Sequence, residues 1–474
     1  MPSEKPSNPP RPSRLIVPGE EPGRAQAPRI VLPGGDEGAT GEAPRIVLPP
    51  GAERETIDDL PEYPRLRPLM LMPFRDGERD LIVVSDPLGV IPGQPVLGIE
   101  ALPILQLLDG SVSLTDLCAA LMRESKDLRI TQMVRDFVAQ LDQLLLLETP
   151  RFERVYRELR EAYHGLEIRP AALEGHAYPA EREQLIRTLD QHFAEAVKLR
   201  EAAGEPVAGP DARPRALLAP HLDPRRSGAT IARAMLEIGE RPSRPLRVVV
   251  FGTGHQLLGD LFALTRKHFQ TPLGKAVCDT RFVDAVAARL GEAAYHGELA
   301  HRAEHSIEFM VLYLQHRLAG QAFTIVPILC GGFAQLLEEG RTPHEDAEFE
   351  AMIGAVREAE RTLGGDTIYV GGIDLSHVGP RFGDPATDER LRAEIEQRDR
   401  AALAAAGRGD ADAWFAAIAE HQDATRICGF APTYALLRCA EPGAGRLLRY
   451  QQSIEEDASL VSIAAMTWPG TAAS

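Results

Sequence analysis

Three apolar, strand-like runs in this chain each end on a histidine: Arg215–His221 (RALLAPH), Leu246–His255 (LRVVVFGTGH) and Thr367–His377 (TIYVGGIDLSH). Helical patterns fall between and after them, at Gly228–Ile238, Arg281–Leu290, Ile307–Leu318, Phe349–Leu363 and Leu391–Ala406, with a further strand at Phe323–Cys330. This alternation predicts an α/β fold, a mainly parallel sheet with helices on both faces. Two last strand-like stretches, Gly445–Ser453 and Leu460–Trp468, are separated by a short acidic turn and predict a hairpin on the sheet edge. In open α/β sheets, ligands gather at the carboxyl ends of the strands. A lone histidine there is more often a hydrogen-bonded structural residue. Three of them, from segments far apart, predict one convergent site, and imidazole is the commonest protein ligand for transition metals.

At 474 residues the chain suits two domains and a tail, and 44% hydrophobic content is ample for a sizeable core. A formal charge of -17 argues against nucleic acid and anionic membrane as main partners, because both need a basic face. The cysteines (Cys118, Cys278, Cys330, Cys428, Cys439) are odd in number and lack CxxC spacing. With no signal peptide ahead of them, they suggest free thiols in a reducing cytoplasm. The longest apolar runs fall well short of a bilayer span.

Residues 1–60 are rich in Pro, Gly, Glu and Arg and read as a disordered tail. A phrase recurs in them: Ser13–Gly19 (SRLIVPG), Pro28–Gly35 (PRIVLPGG) and Pro44–Gly51 (PRIVLPPG). It is either a duplicated linker or a linear motif that adds a strand to a sheet edge. A small domain at 61–154 opens with strand-like stretches (Leu69–Phe74, Leu81–Val84) and continues with helical patterns at Ile99–Leu108, Leu114–Arg123 and Ile130–Leu147. Ser113 or Thr115 is placed to cap the second of these helices. The order of apolar runs resembles PqqD-like winged-helix domains, and that resemblance implies a peptide ligand. Residues 155–173 read as a charged linker helix, and the second domain covers 174–474.

The motifs of the second domain are Ala219-Pro220-His221, Gly252-Thr253-Gly254-His255, Thr271-Pro272-Leu273-Gly274, Glu304-His305-Ser306-Ile307-Glu308, Ile373-Asp374-Leu375-Ser376-His377 and Ile427-Cys428-Gly429. In this order they resemble the MEMO family, including the AmmeMemoRadiSam system protein B type, from about Gly175 to the C-terminus. The resemblance implies a class III extradiol dioxygenase-like fold. It implies His221, His255 and Cys428 as metal ligands, with Asp374 and His377 beside them. It also implies radical SAM and AMMECR-type partner proteins.

Two imidazoles and one anionic ligand leave coordination positions open, the logic of a facial triad with thiolate in place of carboxylate. Iron(II) is the preferred ion; the soft sulfur also suits copper or zinc. The Cys-Gly context near a helix start predicts a lowered thiol pKa for Cys428. Asp374 is expected to orient the His377 ring, with His377 as general acid or base. Glu304, His305 and Glu308, at a helix start, are expected to stand behind the ligands and orient them. Where many family members have a Gly-Tyr pair after the first histidine, this chain has Leu222-Asp223-Pro224-Arg225-Arg226. Two functions follow: a metal-dependent redox enzyme or dioxygenase, or a non-catalytic, metal-dependent protein that recognises a ligand or peptide.

Overall fold

The computed structural model of the chain describes residues 60–470, apart from 77–78, 92, 128 and 258. The tail and its recurring phrases lie outside the described residues. Two compact units divide at Ala162 and Tyr163.

The first unit opens with three antiparallel strands in sequential order, β1 (Met70–Asp76), β2 (Arg79–Ser85) and β3 (Val96–Gly98). Helices α1 (Leu102–Leu107), α2 (Leu114–Ser125), α3 (Ile130–Gln143) and α4 (Pro150–His164) follow. Ser113 is the cap of α2, its Oγ accepting the Asp116 N–H at 3.1 Å. The apolar run expected to extend α3 to Leu147 leaves the helix at Gln143. Leu145 takes a φ of 60°, and the chain turns to let Leu146 O accept the Arg67 N–H at 2.9 Å. Its leucines are buried core all the same.

The second unit starts earlier than residue 174, and no separate linker spans 155–173. Beyond α4, β4 (Ile168–Arg169) pairs in parallel with β8 (His268–Thr271). The reason is electrostatic: the Arg169 guanidinium is fully buried and needs a buried acid, which Glu308 supplies. The helix α5 (Arg182–Ala202), strand β5 (Ala216–Ala219), helix α6 (Pro224–Met235) and strands β6 (Leu246–Thr253) and β7 (Phe262–Leu264) follow. After β8 come β9 (Gly274–Ala276), α7 (Thr280–Leu290), α8 (Ser306–Arg317), β10 (Phe323–Cys330), α9 (Ala334–Glu338), α10 (Ala347–Leu363) and β11 (Asp366–Gly372). The unit ends with β12 (His377–Val378), α11 (Glu389–Gly407), α12 (Ala411–Ala419), α13 (Phe430–Ala440), β13 (Arg446–Ile454) and β14 (Leu460–Trp468).

The main sheet runs β12–β14–β5–β11–β6–β10–β7, with β13 on the far side of β14. Its four central strands, β5, β11, β6 and β10, are parallel. The flanks are antiparallel, β7 on β10 and β14 on β5, so the sheet is parallel at its centre and mixed overall. The expected C-terminal hairpin is present, β13 against β14. Successive residues of β6 face opposite ways: Val249 and Phe251 pack with α7, α10, α11, α12 and α13, while Val248 and Val250 pack with α5, α6 and α8. Both faces are therefore covered, and each fully buried aliphatic side chain contributes about 1.5–3 kcal/mol.

Two glycines decide what stands above the sheet. A Cβ on Gly372, the last residue of β11, would meet Ser306 O at 2.3 Å, and one on Gly252 would meet Ser306 Oγ at 2.5 Å. With no side chain at either place, the start of α8 sits directly on the strand ends, and Ser306 Oγ donates to Thr253 O at 3.0 Å.

Candidate metal centre

Strands β5, β11 and β6 are neighbours, so their carboxyl ends emerge side by side, about 4.8 Å apart. His221 follows β5, Asp374 and His377 follow β11, and His255 follows β6. Cys428 arrives in the loop before α13. Gly429 N donates to Asp374 O at 2.9 Å, and Thr253 Oγ1 donates to Cys428 O at 2.9 Å. A Cβ on Gly429 would meet Asp374 O at 2.7 Å, so this approach requires glycine. His221, His255 and Cys428 each offer a donor atom, all within 4.8 Å of one another.

The hydrogen bonds prepare these donors for a cation. His221 Nδ1 donates to Gly372 O at 2.8 Å, which leaves Nε2 as a lone pair 3.2 Å from Cys428 Sγ. His255 Nδ1 donates to the Glu304 carboxylate, 3.1 Å from Oε1, and leaves its own Nε2 bare. A carboxylate behind a histidine raises its basicity and holds its tautomer, as in carboxylate–histidine–metal sites. His221 and Glu304 are buried, while the His255 side chain is 37% exposed, so the pocket is open on that side. Two bare imidazole nitrogens and one thiol, converging within 4.8 Å, fit a transition-metal ion.

Burial pushes the His221 ring well below the usual imidazole range, and the neighbouring His255 and His305 add to this. His221 is thus neutral, as a ligand must be. Burial would lower His255 too, but the Glu304 charge and hydrogen bond outweigh it and raise that ring. Burial would raise Glu304; His255, His305 and the Ser306 N–H reverse this and hold its carboxyl well below the usual range. Burial lifts Asp374 to about 7 against the backbone N–H groups that it accepts. Cys428 departs from the sequence expectation. Without a cation its thiol is raised well above the ordinary value, first by burial and then by Asp374, because the loop lacks the electropositive surroundings that stabilise a thiolate.

Asp374 does not orient His377. Its Oδ1 accepts the backbone N–H groups of His221 at 3.0 Å and Leu222 at 3.1 Å, so it fixes the chain at His221. His377 Nδ1 donates instead to Leu375 O at 2.9 Å and Arg426 O at 3.1 Å. Its Nε2 is left as the acceptor, and burial lowers the ring to about 4. Asp374, His377 and Cys428 form a second group whose donor atoms lie within 4.8 Å of one another.

Of the three residues at the start of α8, Glu304 holds the His255 ring by its Nδ1. His305 stands in the pocket itself, its ring stacked on that of His255 at 4.8 Å and edge-on to that of His221 at 5.1 Å. Glu308 belongs elsewhere. It bonds the Arg169 guanidinium and the Tyr178 hydroxyl, and accepts Ala172 N and Leu173 N at 2.9 Å each, fastening the segment after β4. Arg225 pairs with Asp223, and Arg226 with Glu455 and Ser453. Residues missed in the sequence support the site from behind. Asp399 on α11 accepts from Ser376 Oγ at 2.7 Å, Ser462 Oγ at 2.5 Å and Tyr450 OH at 2.8 Å. Its one signal is a charge on a helix face otherwise turned inward.

These features define a class: an α/β domain with a histidine–histidine–cysteine pocket on the carboxyl edge of its central parallel strands. Residues 169–467 match the family described as Memo-like protein, and the chain belongs to that family. A MEMO1 family protein of Thermus thermophilus is 30% identical over 323 residues, 68% of this chain and 88% of the relative. One from Aquifex aeolicus is 27% identical over 323 residues, 68% and 77% of the two chains. One from Pyrococcus abyssi is 33% identical over 219 residues, 46% and 67%. The family match begins at Arg169, the residue whose buried charge ties β4 to the second unit.

Proposed function

We propose that the second unit binds one transition-metal ion through His221 Nε2, His255 Nε2 and Cys428 Sγ, and uses it for redox chemistry on a small substrate. The observation that carries this reading is the convergence of those three donors within 4.8 Å, two of them with tautomers set by hydrogen bonds. Iron(II) is the first choice, with copper or zinc as alternatives. A bound ion would supply Lewis acidity or one-electron chemistry at the open positions. His377, neutral and with its Nδ1 proton committed to two carbonyls, accepts a proton or hydrogen bond at Nε2. Glu304 keeps His255 in its ligating tautomer, and Asp374 keeps the His221 backbone in place. On this reading the protein works in the cytoplasm beside a radical SAM enzyme and an AMMECR-type protein. No described helix is long and apolar enough to cross a membrane.

One observation favours the second reading, metal-dependent recognition without turnover. Asp374 Oδ1 is committed to two backbone N–H groups and His377 Nδ1 to two carbonyls, so among the described residues no hydrogen bond joins the two as an Asp–His dyad. A paired experiment separates the two: metal content of anaerobically purified protein, then dioxygen uptake with candidate catechols. Stoichiometric metal with substrate-dependent uptake supports the enzyme. Stoichiometric metal with ligand affinity and no uptake supports recognition. Absence of metal under anaerobic loading sinks both.

A further inference from the structure

The three-stranded sheet of the first unit is apolar on both faces, and among the described residues only one face is covered. Leu71, Ile82, Val84 and Leu97 turn inward and belong to the unit's core. Residues directly opposite in an antiparallel pair share a face, and the register sets Met72 opposite Val83 and Phe74 opposite Leu81, with Val83 opposite Val96. This second face is therefore Met70, Met72, Phe74, Leu81, Val83 and Val96. Met70 is 55% exposed, Met72 44% and Phe74 45%. A sheet with two apolar faces ordinarily has a layer on each. Among the described residues, β1 is also an edge, paired with β2 alone.

The chain preceding this sheet carries short apolar segments suited to it. In each tail phrase a basic residue precedes three apolar residues with β-branched character (Leu15-Ile16-Val17, Ile30-Val31-Leu32, Ile46-Val47-Leu48), and proline closes it. Such a run extends a sheet, and the closing proline, lacking an N–H, stops it after a few residues. The last phrase ends at Gly51, and the described chain begins at Leu60 and is fixed to the unit from Glu62 O, which accepts Leu114 N; the free connection between them spans up to about 30 Å when extended. A tether of that length keeps the phrase at roughly millimolar effective concentration beside its seat.

We infer that the Pro44–Gly51 phrase of the chain's own tail docks on the open edge of β1 as a fourth strand. Ile46 and Leu48 continue the Met72–Phe74 face, and Val47 turns to the other side. The two upstream phrases compete for the same seat. The main-chain pairing supplies affinity, and the alternating side chains supply selectivity.

The test is amide hydrogen exchange by mass spectrometry on the full chain at low concentration, with oligomeric state followed by sedimentation. Exchange at 45–48 is expected to be roughly tenfold slower than in a Met72→Lys/Phe74→Lys variant, whose changed residues are exposed and do not threaten the fold. Serine at all nine apolar positions of the three phrases should in turn speed exchange of the β1 amides. Equal rates at 45–48 in parent and face variant would overturn the inference. So would protection that appears only as dimers form, since a second copy would then be the occupant.

Discussion

His377 is held by two carbonyls, and this separates its fate from that of the metal. His377→Ala should keep the ion and lose any turnover by ~10²–10⁴-fold, the usual range for a removed acid or base. Metal content and activity measured on one preparation decide it; parallel loss of metal would make position 377 a ligand. His221→Ala and His255→Ala should each bring metal from about one equivalent to near zero by mass spectrometry. Cys428→Ser should weaken copper(I) most, because a hydroxyl is a poor soft ligand. Histidines at strand ends were legible because strand and imidazole are both local in sequence. The roles of Asp374 and His377 were not. Their partners are backbone groups, and backbone carries no letter in the sequence. The raised thiol of Cys428 was hidden for a similar reason, since burial comes from residues packed around it and not from its Cys-Gly neighbours.

The strand ends and the start of α8 meet without side chains between them. Gly372→Ala would push a methyl into Ser306 O, and Gly429→Ala into Asp374 O. Each should cost about 1–3 kcal/mol of stability and, by displacing α8 or the Cys428 loop, lower metal affinity. Denaturant unfolding with metal titration reads both effects. Glu308→Ala tests a different junction. It leaves the buried Arg169 charge without its acid, which should cost about 3–5 kcal/mol. Its metal content in the folded fraction should stay near that of the parent, because Glu308 makes no hydrogen bond to His221, His255 or Cys428. The five helical patterns read in the second domain correspond to α6, α7, α8, α10 and α11 to within a few residues, while the bounds of α5, α9, α12 and α13 were not read from the sequence. The early start of that unit was hidden by Val155–His164, whose charged helical pattern looked like a linker, while Ile168-Arg169 is too short to read as a strand. The antiparallel flanks of the sheet were equally invisible, since strand direction depends on where the chain returns and not on composition.

The two units and the tail set expectations for the whole chain. Removing residues 1–59 should leave the melting transition of the second unit within experimental error and its metal stoichiometry unchanged, by calorimetry and metal analysis. A drop in that transition would mean that the tail stabilises more than the first unit. The two-unit organisation was legible in the chain's composition; the uncovered sheet face was not, because alternation marks a face as apolar without saying what lies over it. The thiol and the imidazole that lie 3.2 Å apart come from residues 207 positions apart in the chain. Contacts at such separation close late, after the nearer strands have paired. On the proposed metal site, an ion offered to the nascent chain would find the two imidazoles before the thiol, and the full site only once α13 has docked. Loading would then report completion of folding, and a stalled or misassembled chain would be discriminated from a finished one by its failure to retain metal.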